Sequence, residues 1–552
     1  MILGIDVGGT HTDAVCIDGG AVRATAKTLT VGDLVHSIRE VIRALDIDCR
    51  KVERTILSTT LSTNAIIEKT FAPAGMIISA GPGIDPRNYF LTDDFHLVSG
   101  AIDHRGREYI PIRPDEIRGV SSKLKAKGVS GVGIVSKFSA RNPAHEQGIH
   151  SLIKGDFEHV SMGHTLSGSL NFPRRIHTTF FNTSVMPVQK RFMLSVRQAL
   201  AELGIESQLL FLKADGGTYP ASATELYPVE TILSGPAASM MGGLALSTDP
   251  GITTLVMDIG GTTTDIGILI QGVPILEPKG VSIDGLKTLV RGLKVVSVGA
   301  GGDSCVSLVG GELRVGPHRE GPPVCLGGPM PTPMDALAVL GSFPSGNIDK
   351  ARSAIAPIAG VLGVGIEDVS RQIVSALVRN MRDKAREFID EVNRYPVYTI
   401  YEMLHPELVE PRQVLAIGGP AAQLRPFLED AFGMKCVVPG HAMVANALGA
   451  ALARTTTQIT MVADTQLGRM VCPEMGIDEK VGSSLTMEDL KKQGKGILTE
   501  HLALQGITGN LEISILEEQT FNIVRGFSSA GRNFRLKLQT KPGILDQWSV
   551  TC

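Results

Sequence analysis

A chain of 552 residues exceeds what one hydrophobic core organises, so roughly two to four domains are expected. Hydrophobic residues at 43% and charged residues at 20% fit a globular protein, and a net charge of −3 without a long basic run gives nucleic-acid or membrane-surface roles no support. Seven scattered cysteines without a C-x-x-C argue for a reducing, cytoplasmic setting and against a disulfide frame or zinc site, and no apolar run reaches the roughly 20 residues that span a bilayer.

The chain opens on Ile2-Leu-Gly-Ile-Asp6-Val-Gly8-Gly9-Thr10-His-Thr12-Asp13. This reads as an apolar strand ending in aspartate, a Gly-Gly-Thr turn and a second, alternating strand. A strand at the very start, with Asp6 inside it, leads us to expect no signal peptide. Leu34 to Leu45 has the spacing of an amphipathic helix. Thr55 to Thr59 predicts a strand, Thr60 to Asn64 a polar turn into a helix, and Met76 to Ala80 another strand. Residues 84–114, rich in Asp, Arg, Pro and Gly, predict loops and short hairpins. Val132 to Ser136 predicts a buried strand. His145-Glu146-Gln-Gly-Ile-His150 looks like a metalloprotease helix, but its histidines are five apart and would fall on different faces. A surface loop or helix end is expected there. Thr178 to Leu203 predicts a long helix containing or starting at Pro187. Leu209 to Lys213 predicts a strand ending in the turn Asp215-Gly216-Gly217, and Leu233-Ser-Gly-Pro-Ala-Ala238 opens a small-residue helix.

Near residue 250 the opening pattern starts again, as Leu255-Val-Met-Asp258-Ile-Gly260-Gly261-Thr262-Thr-Thr264-Asp265. Val298-Gly-Ala-Gly301-Gly302-Asp303-Ser304 predicts a further tight turn, and residues 316–333 form a Gly/Pro stretch. Ile366 to Arg394 predicts a strong helix. Val414-Leu-Ala-Ile-Gly418-Gly419-Pro420 is a third apolar strand ending in Gly-Gly, and Ala445 to Leu452 is a second small-residue helix. Small-residue helices at matching places in two lobes suit a sliding hinge. After about residue 464 the Gly-Gly turns thin out. A helix near 486–505 and strands near 511–525 and 532–539 predict a small α+β unit.

The repeat carries the chemistry. Adjacent glycines let backbone N–H groups turn toward a ligand, making an anion nest suited to phosphate. Gly8, Gly9, Thr10, Gly260, Gly261 and Thr262 would cradle the phosphates of one nucleotide between two lobes. Gly301, Gly302, Gly418 and Gly419 would approach it by backbone. Asp6 and Asp258 would repel phosphate directly, but suit Mg²⁺, which prefers carboxylate and water oxygens. Thr12, Asp13, Thr264 and Asp265 would stand behind them. No G-x-x-x-x-G-K-[ST] is present, so a P-loop is not expected. Asp215 and Asp303, each beside glycines, are candidates for a general base or for turn formation. Cys325 is expected to be a packed thiol.

In this order the elements resemble the hydantoinase A/5-oxoprolinase family over residues 1–455. The resemblance rests on the two phosphate turns, Ser58-Thr59-Thr60-Leu-Ser-Thr63-Asn64-Ala65, Gly-His164-Thr-Leu, Thr178-Thr-Phe-Phe-Asn182, Leu233 to Ala238, Val298 to Gly302, Pro331-Thr-Pro-Met-Asp335 and Gly418-Gly419-Pro420. It implies an α/β, two-lobed actin-like ATPase fold (ribonuclease H-like, duplicated) with a small α+β C-terminal appendage. The implied divisions are 1–175, 176–463 and 464–552. It further implies ATP- and Mg²⁺-dependent opening of a cyclic amide such as a hydantoin or 5-oxoproline, by phosphorylation of the carbonyl oxygen. Thr59, Thr63, Asn64, His164, Arg175 and His177 become substrate-pocket candidates. A hydantoinase B-type subunit and a homo-oligomer are implied partners, and neither nucleic acid nor membrane is expected as one. A small-molecule kinase and an ATP-gated regulatory subunit share the fold and stay open as alternatives. Arg174 and Thr165 replace acidic residues usual in the family, and the tail is shorter, which leaves the cyclic amide unnamed.

Overall fold

The computed structural model describes residues 1–30, 32–277, 279–394, 408–507 and 512–548. Ile2–Val7 folds back antiparallel on His11–Asp18, with Asp6 opposite Asp13. Thr254–Ile259 does the same with Thr264–Ile270, with Asp258 opposite Asp265. Both first strands are almost wholly buried, as their unbroken apolar runs require.

Each hairpin organises a six-stranded sheet. In the first, Ala21–Leu29 extends the hairpin, and Arg54–Thr59 runs parallel to Ile2–Val7 on its other side. Gln208–Leu212 and Thr218–Pro220 complete that edge. In the second, Gln413–Ile417 runs parallel to Thr254–Ile259 and is followed by Lys435–Val437. Val295–Val298 and Val273–Pro274 pair with Thr264–Ile270. A hairpin flanked by a parallel strand, built twice, is the duplicated ribonuclease H-like plan of the actin-like ATPases.

The halves meet through helices of small residues. Ser234–Leu246 and Ala445–Leu452 touch backbone to backbone. A Cβ on Gly449 would lie 2.2 Å from the Gly242 nitrogen, and one on Gly4 would lie 2.2 Å from the Ala447 carbonyl oxygen. One apolar cluster, including Ile56, Ala238, Val256, Leu415 and Ala447, runs through this seam from sheet to sheet.

The first lobe carries an inserted parallel sheet of Ala74–Ser79, Phe95–Leu97, Gly131–Ser136 and His159–Met162. Residues 84–114 hold short strands and a 3₁₀ turn, as their composition predicts. Ala144–Ile153 is a regular helix, and its first turn buries His145 and Glu146. The expectation of a surface loop or helix end is therefore corrected: the two residues start a helix, but a buried one.

Phe172–Glu202 is one long helix containing Pro187, and Asn171 caps it by accepting a bond from the Arg174 N–H. The 175/176 division falls inside this helix, and the first sheet draws strands from as far as Pro220. The C-terminal unit is a five-stranded antiparallel sheet covered by Met487–Leu504. Its central strand is Gln458–Asp464, so the 463/464 division comes at the end of that strand rather than before it. The six described cysteines are free thiols, and Cys552 lies outside the described residues. Among the described residues no single helix is long and apolar enough to cross a membrane. Ile348–Leu362 and Ile366–Asn393 are so only as a pair bent by 92°, and their apolar faces are buried in the second lobe.

Candidate active site

The two Gly-Gly-Thr turns open onto one cleft between the lobes, a cavity of about 210 Å³. Asp6, Gly8 and Thr10 line it from one side. Asp258, Gly260, Gly261, Thr262, Gly418 and Gly419 line it from the other. The turns are geometrically alike. Gly8 donates its N–H to the His11 carbonyl at 3.0 Å, and Gly260 donates to the Thr263 carbonyl at 2.9 Å. No described residue accepts a hydrogen bond from the backbone N–H of Gly9, Thr10, Gly261 or Thr262. Unspent N–H groups in two facing turns form the donor set an anion needs.

The third turn supports the second from behind. Gly302 and Asp303 donate their N–H groups to the carbonyls of Gly260 and Gly261, at 2.9 and 2.7 Å. Gly301 and Gly302 are thus backing rather than wall. A Cβ on Gly301 would come within 2.6 Å of the Gly260 carbonyl oxygen, so a side chain there would displace the turn. Gly418 adopts φ 92°, and a Cβ there would approach the Ile259 carbonyl oxygen to 2.3 Å.

Asp6, Asp13 and Asp258 line the cleft, Asp6 and Asp13 being buried, and Asp265 stands beside Asp258 as its strand partner. Asp6 is pushed up to about 7, mainly by burial; a hydrogen bond from Ser58 opposes this, and the charges of Asp13 and Asp258 add to it. Its Oδ1 is buried without a hydrogen-bond partner. Asp265 also rises to about 7, through burial and the charge of Asp258, against a 2.5 Å bond from Ser297. Asp13 is raised by burial although Lys27 Nζ lies 2.8 Å away. Asp258 accepts bonds from Ser239 Oγ at 2.6 Å and Asn446 Nδ2 at 2.9 Å, which fix its orientation. Ser239 and Asn446 were not singled out from the sequence. The signal was their position near the starts of the two small-residue helices that close the seam, Ser239 in the second turn of one and Asn446 in the first turn of the other. His11 lines the cleft and is lowered to about 4 by burial, Lys27 and Arg319, which keeps it neutral at pH 7.

Among the described residues no three His, Cys, Asp or Glu side chains converge into a metal cage. The orphaned Oδ1 of Asp6, facing Asp258 across the cleft, instead suits a cation that takes one or two carboxylates and keeps its waters.

The remaining sequence candidates are dispersed. Asp303 stands beside the second turn, paired with Arg319 at 3.1 Å and raised by burial against that partner. Asp215 lines a different cavity. Burial would raise it, but Lys213, Arg291, the Gly217 N–H and Thr456 outweigh that and hold it below the ordinary carboxylate range. Thr59, Thr63 and Asn64 lie where their turn meets the start of the helix Ser234–Leu246. Ser234 Oγ donates to the Thr59 carbonyl at 2.8 Å, and Thr63 Oγ1 accepts from the Leu233 N–H at 2.8 Å. Asn64 bonds Thr60 Oγ1 at 3.3 Å near the surface. His164 and Arg175 are buried in the first lobe. His164 Nδ1 lies 2.5 Å from Glu146, and Arg175 donates to the Ser169 and Ser136 carbonyls. His177 bonds the Lys287 carbonyl at 3.1 Å. The structure gathers Gly8, Thr10, Gly260, Gly261, Thr262, Gly418 and Gly419 into one cleft and leaves the six substrate-pocket candidates at three separate places.

Residues 2–156 match the family model for the hydantoinase/oxoprolinase N-terminal region, and residues 175–459 match that for hydantoinase/oxoprolinase. Caprolactamase subunit alpha of Pseudomonas jessenii is 28% identical over 427 residues, 69% of this chain and 61% of that protein. The acetone carboxylase beta subunit of Xanthobacter autotrophicus is 24% identical over 451 residues, 70% of this chain and 62% of that one. The matched part thus spans less than two thirds of either relative. Among solved structures, the ATP-dependent caprolactamase from Pseudomonas jessenii matches with TM-score 0.72 at 22% identity, covering 97% of this chain and 87% of that one. A nucleotide-free acetone carboxylase structure matches with TM-score 0.71 at 18% identity, covering 100% and 88%. These two likenesses show the fold, and the matched sequence segments show the lineage: the chain belongs to the hydantoinase/oxoprolinase family.

Proposed function

We propose that this chain uses ATP and Mg²⁺ to activate a cyclic amide for ring opening, by phosphorylating the carbonyl oxygen. One observation carries the reading: two identical Asp-x-Gly-Gly-Thr turns, with unspent N–H groups, face a single cleft. An amide carbon is a poor electrophile because its nitrogen donates into the carbonyl. Phosphorylating the oxygen withdraws that density and provides a leaving group, so the protein's task is positioning and charge neutralisation.

The N–H groups of both turns hold the phosphates. Asp6 and Asp258 are the carboxylates for Mg²⁺, which when bound would neutralise phosphate charge. Ser239 and Asn446 position Asp258. Asp303 is better placed than Asp215 to serve as a base, because it abuts the second turn. Thr59, Thr63 and Asn64 are the substrate-side candidates, since their turn abuts the helix that supplies Ser239. The two named relatives are an alpha and a beta subunit, which supports a second subunit as partner.

The test is phosphate release from ATP across hydantoins, 5-oxoproline and larger lactams, with and without a co-produced hydantoinase B-type chain. Stimulation by a cyclic amide is expected, and Asp258→Ala should lower turnover about 100-fold or more. No stimulation by any of these compounds, or near-normal turnover in the variant, rejects the reading. A stable phosphorylated product would instead indicate a kinase, and bound ATP without turnover a regulatory subunit. The similarity to the acetone carboxylase beta subunit favours one further reading, phosphoryl activation for carboxylation. Stimulation by a ketone with bicarbonate, and not by lactams, would select it.

A further inference from the structure

A second cavity, of about 360 Å³, lies between the first lobe, the stretch around Arg291 and the C-terminal unit, and shares no lining residue with the nucleotide cleft. Its wall is apolar at Leu166 and Leu289 and carries charge of both signs. Much of that charge is already spent. Lys213 Nζ pairs with Asp215 at 3.3 Å, and Asp215 also accepts from Thr456 and the Gly217 N–H. Two groups are left over. The Glu230 carboxylate forms no hydrogen bond or ion pair with any described residue. The Arg291 guanidinium has one long bond, 3.4 Å to Gln458 Oε1. The two sense each other's charge, yet no atoms of theirs come within 4.0 Å as an ion pair.

A half-buried carboxylate and a half-buried guanidinium that face one cavity without pairing leave a charge of each sign free for a group that bridges them. Burial lifts Glu230 to about 7, with Lys213 lowering it, Asp215 raising it and Arg291 lowering it, as expected of a carboxyl without a counter-ion. The bridging group must bring an ammonium or similar donor to Glu230 and a carboxylate to Arg291, with a short apolar stem along the leucines.

We propose that this cavity binds a small aminocarboxylate zwitterion, its carboxylate on Arg291 and its ammonium on Glu230. Hydrolysis of a lactam releases an amine and a carboxylate on one carbon chain, so such a molecule has the form of the ring-opened product. The choice of an ω-amino acid therefore rests on the function proposed above, whereas the demand for paired opposite charges rests on the cavity alone.

Titration calorimetry of the full chain, without ATP, tests it with 5-aminopentanoate, 6-aminohexanoate and L-glutamate. Hexanoate and hexylamine serve as probes lacking one charge. At least one zwitterion should bind about ten-fold tighter than either single-charge probe. Arg291→Gln and Glu230→Gln should each weaken it about ten-fold or more, with nucleotide affinity unchanged as evidence of an intact fold. If no zwitterion binds below about 10 mM, or the single-charge probes bind as well, the proposal fails without recourse to any variant. Binding that survives both substitutions also overturns it. Lactam-stimulated ATP turnover without zwitterion binding removes this site alone. Zwitterion binding without such turnover leaves the site standing and removes the cyclic-amide reading.

Discussion

Asp6 and Asp265 both rise to about 7, and for both the largest cause is burial. The sign of the linkage follows. The unfolded chain releases the Asp6 proton near 3.8, whereas the folded chain keeps it to about 7. Folding therefore favours the protonated form, and stability drops as pH rises between those values. In the nucleotide-free protein, Asp6→Asn should raise the apparent melting temperature more at pH 8 than at pH 5, by a margin of about 2 °C or more. Melting in chelator at the two pH values checks this. An equal loss of stability at both would mean that the ionised carboxylate carries no such cost. The same variant should bind Mg²⁺-nucleotide poorly, because a neutral amide cannot replace the carboxylate. At this scale the motif residues were readable, since Asp-x-Gly-Gly-Thr is local chemistry. Ser239 and Asn446 were not, because their role depends on helices far apart in the chain meeting at Asp258.

Periodicity gave most helices and strands, because burial on one face imposes it directly. It could not give partners. The helices Ser234–Leu246 and Ala445–Leu452 read as small-residue helices, but their direct contact follows from the pairing of two sheets. Gly449→Ala would place a Cβ 2.2 Å from the Gly242 nitrogen and 2.5 Å from the Ala238 carbonyl oxygen. A cost of about 1–3 kcal/mol is expected from such overpacking. Gly360→Ala, in the exposed face of Ile348–Leu362 with nothing near its Cβ, should instead stabilise by about 0.5–1 kcal/mol. Denaturant midpoints of the two variants should move in opposite directions, and equal shifts would deny the seam its tight packing. The His145 region shows the converse limit. Its polar spacing suggested a surface position, yet Glu146 is buried because it accepts the backbone N–H groups of Ser136 and His164.

The C-terminal sheet is tied to the first lobe. Arg105 reaches Asp464 at 2.5 Å and Gln466 at 2.8 Å, and Arg469 reaches Asn142 at 3.0 Å. Closure of the second lobe's sheet toward this pair, with the small-residue seam as the sliding surface, is the motion expected when the cleft fills. Small-angle scattering should give a smaller radius of gyration with Mg²⁺ and a non-hydrolysable ATP analogue than without, and identical profiles would refute closure. The sequence by itself determined the duplication, the Gly-Gly-Thr turns and the paired aspartates, because each is a short segment whose geometry is set by its own glycines and apolar run. Only the tertiary structure decided which of the other candidates share a site. It set Asp215 on a second cavity, Asp303 beside the turn, and His164 and Arg175 in the buried first lobe. The reason is physical: a turn is built by neighbours in sequence, whereas a pocket is built by residues that only the packing of whole lobes brings together.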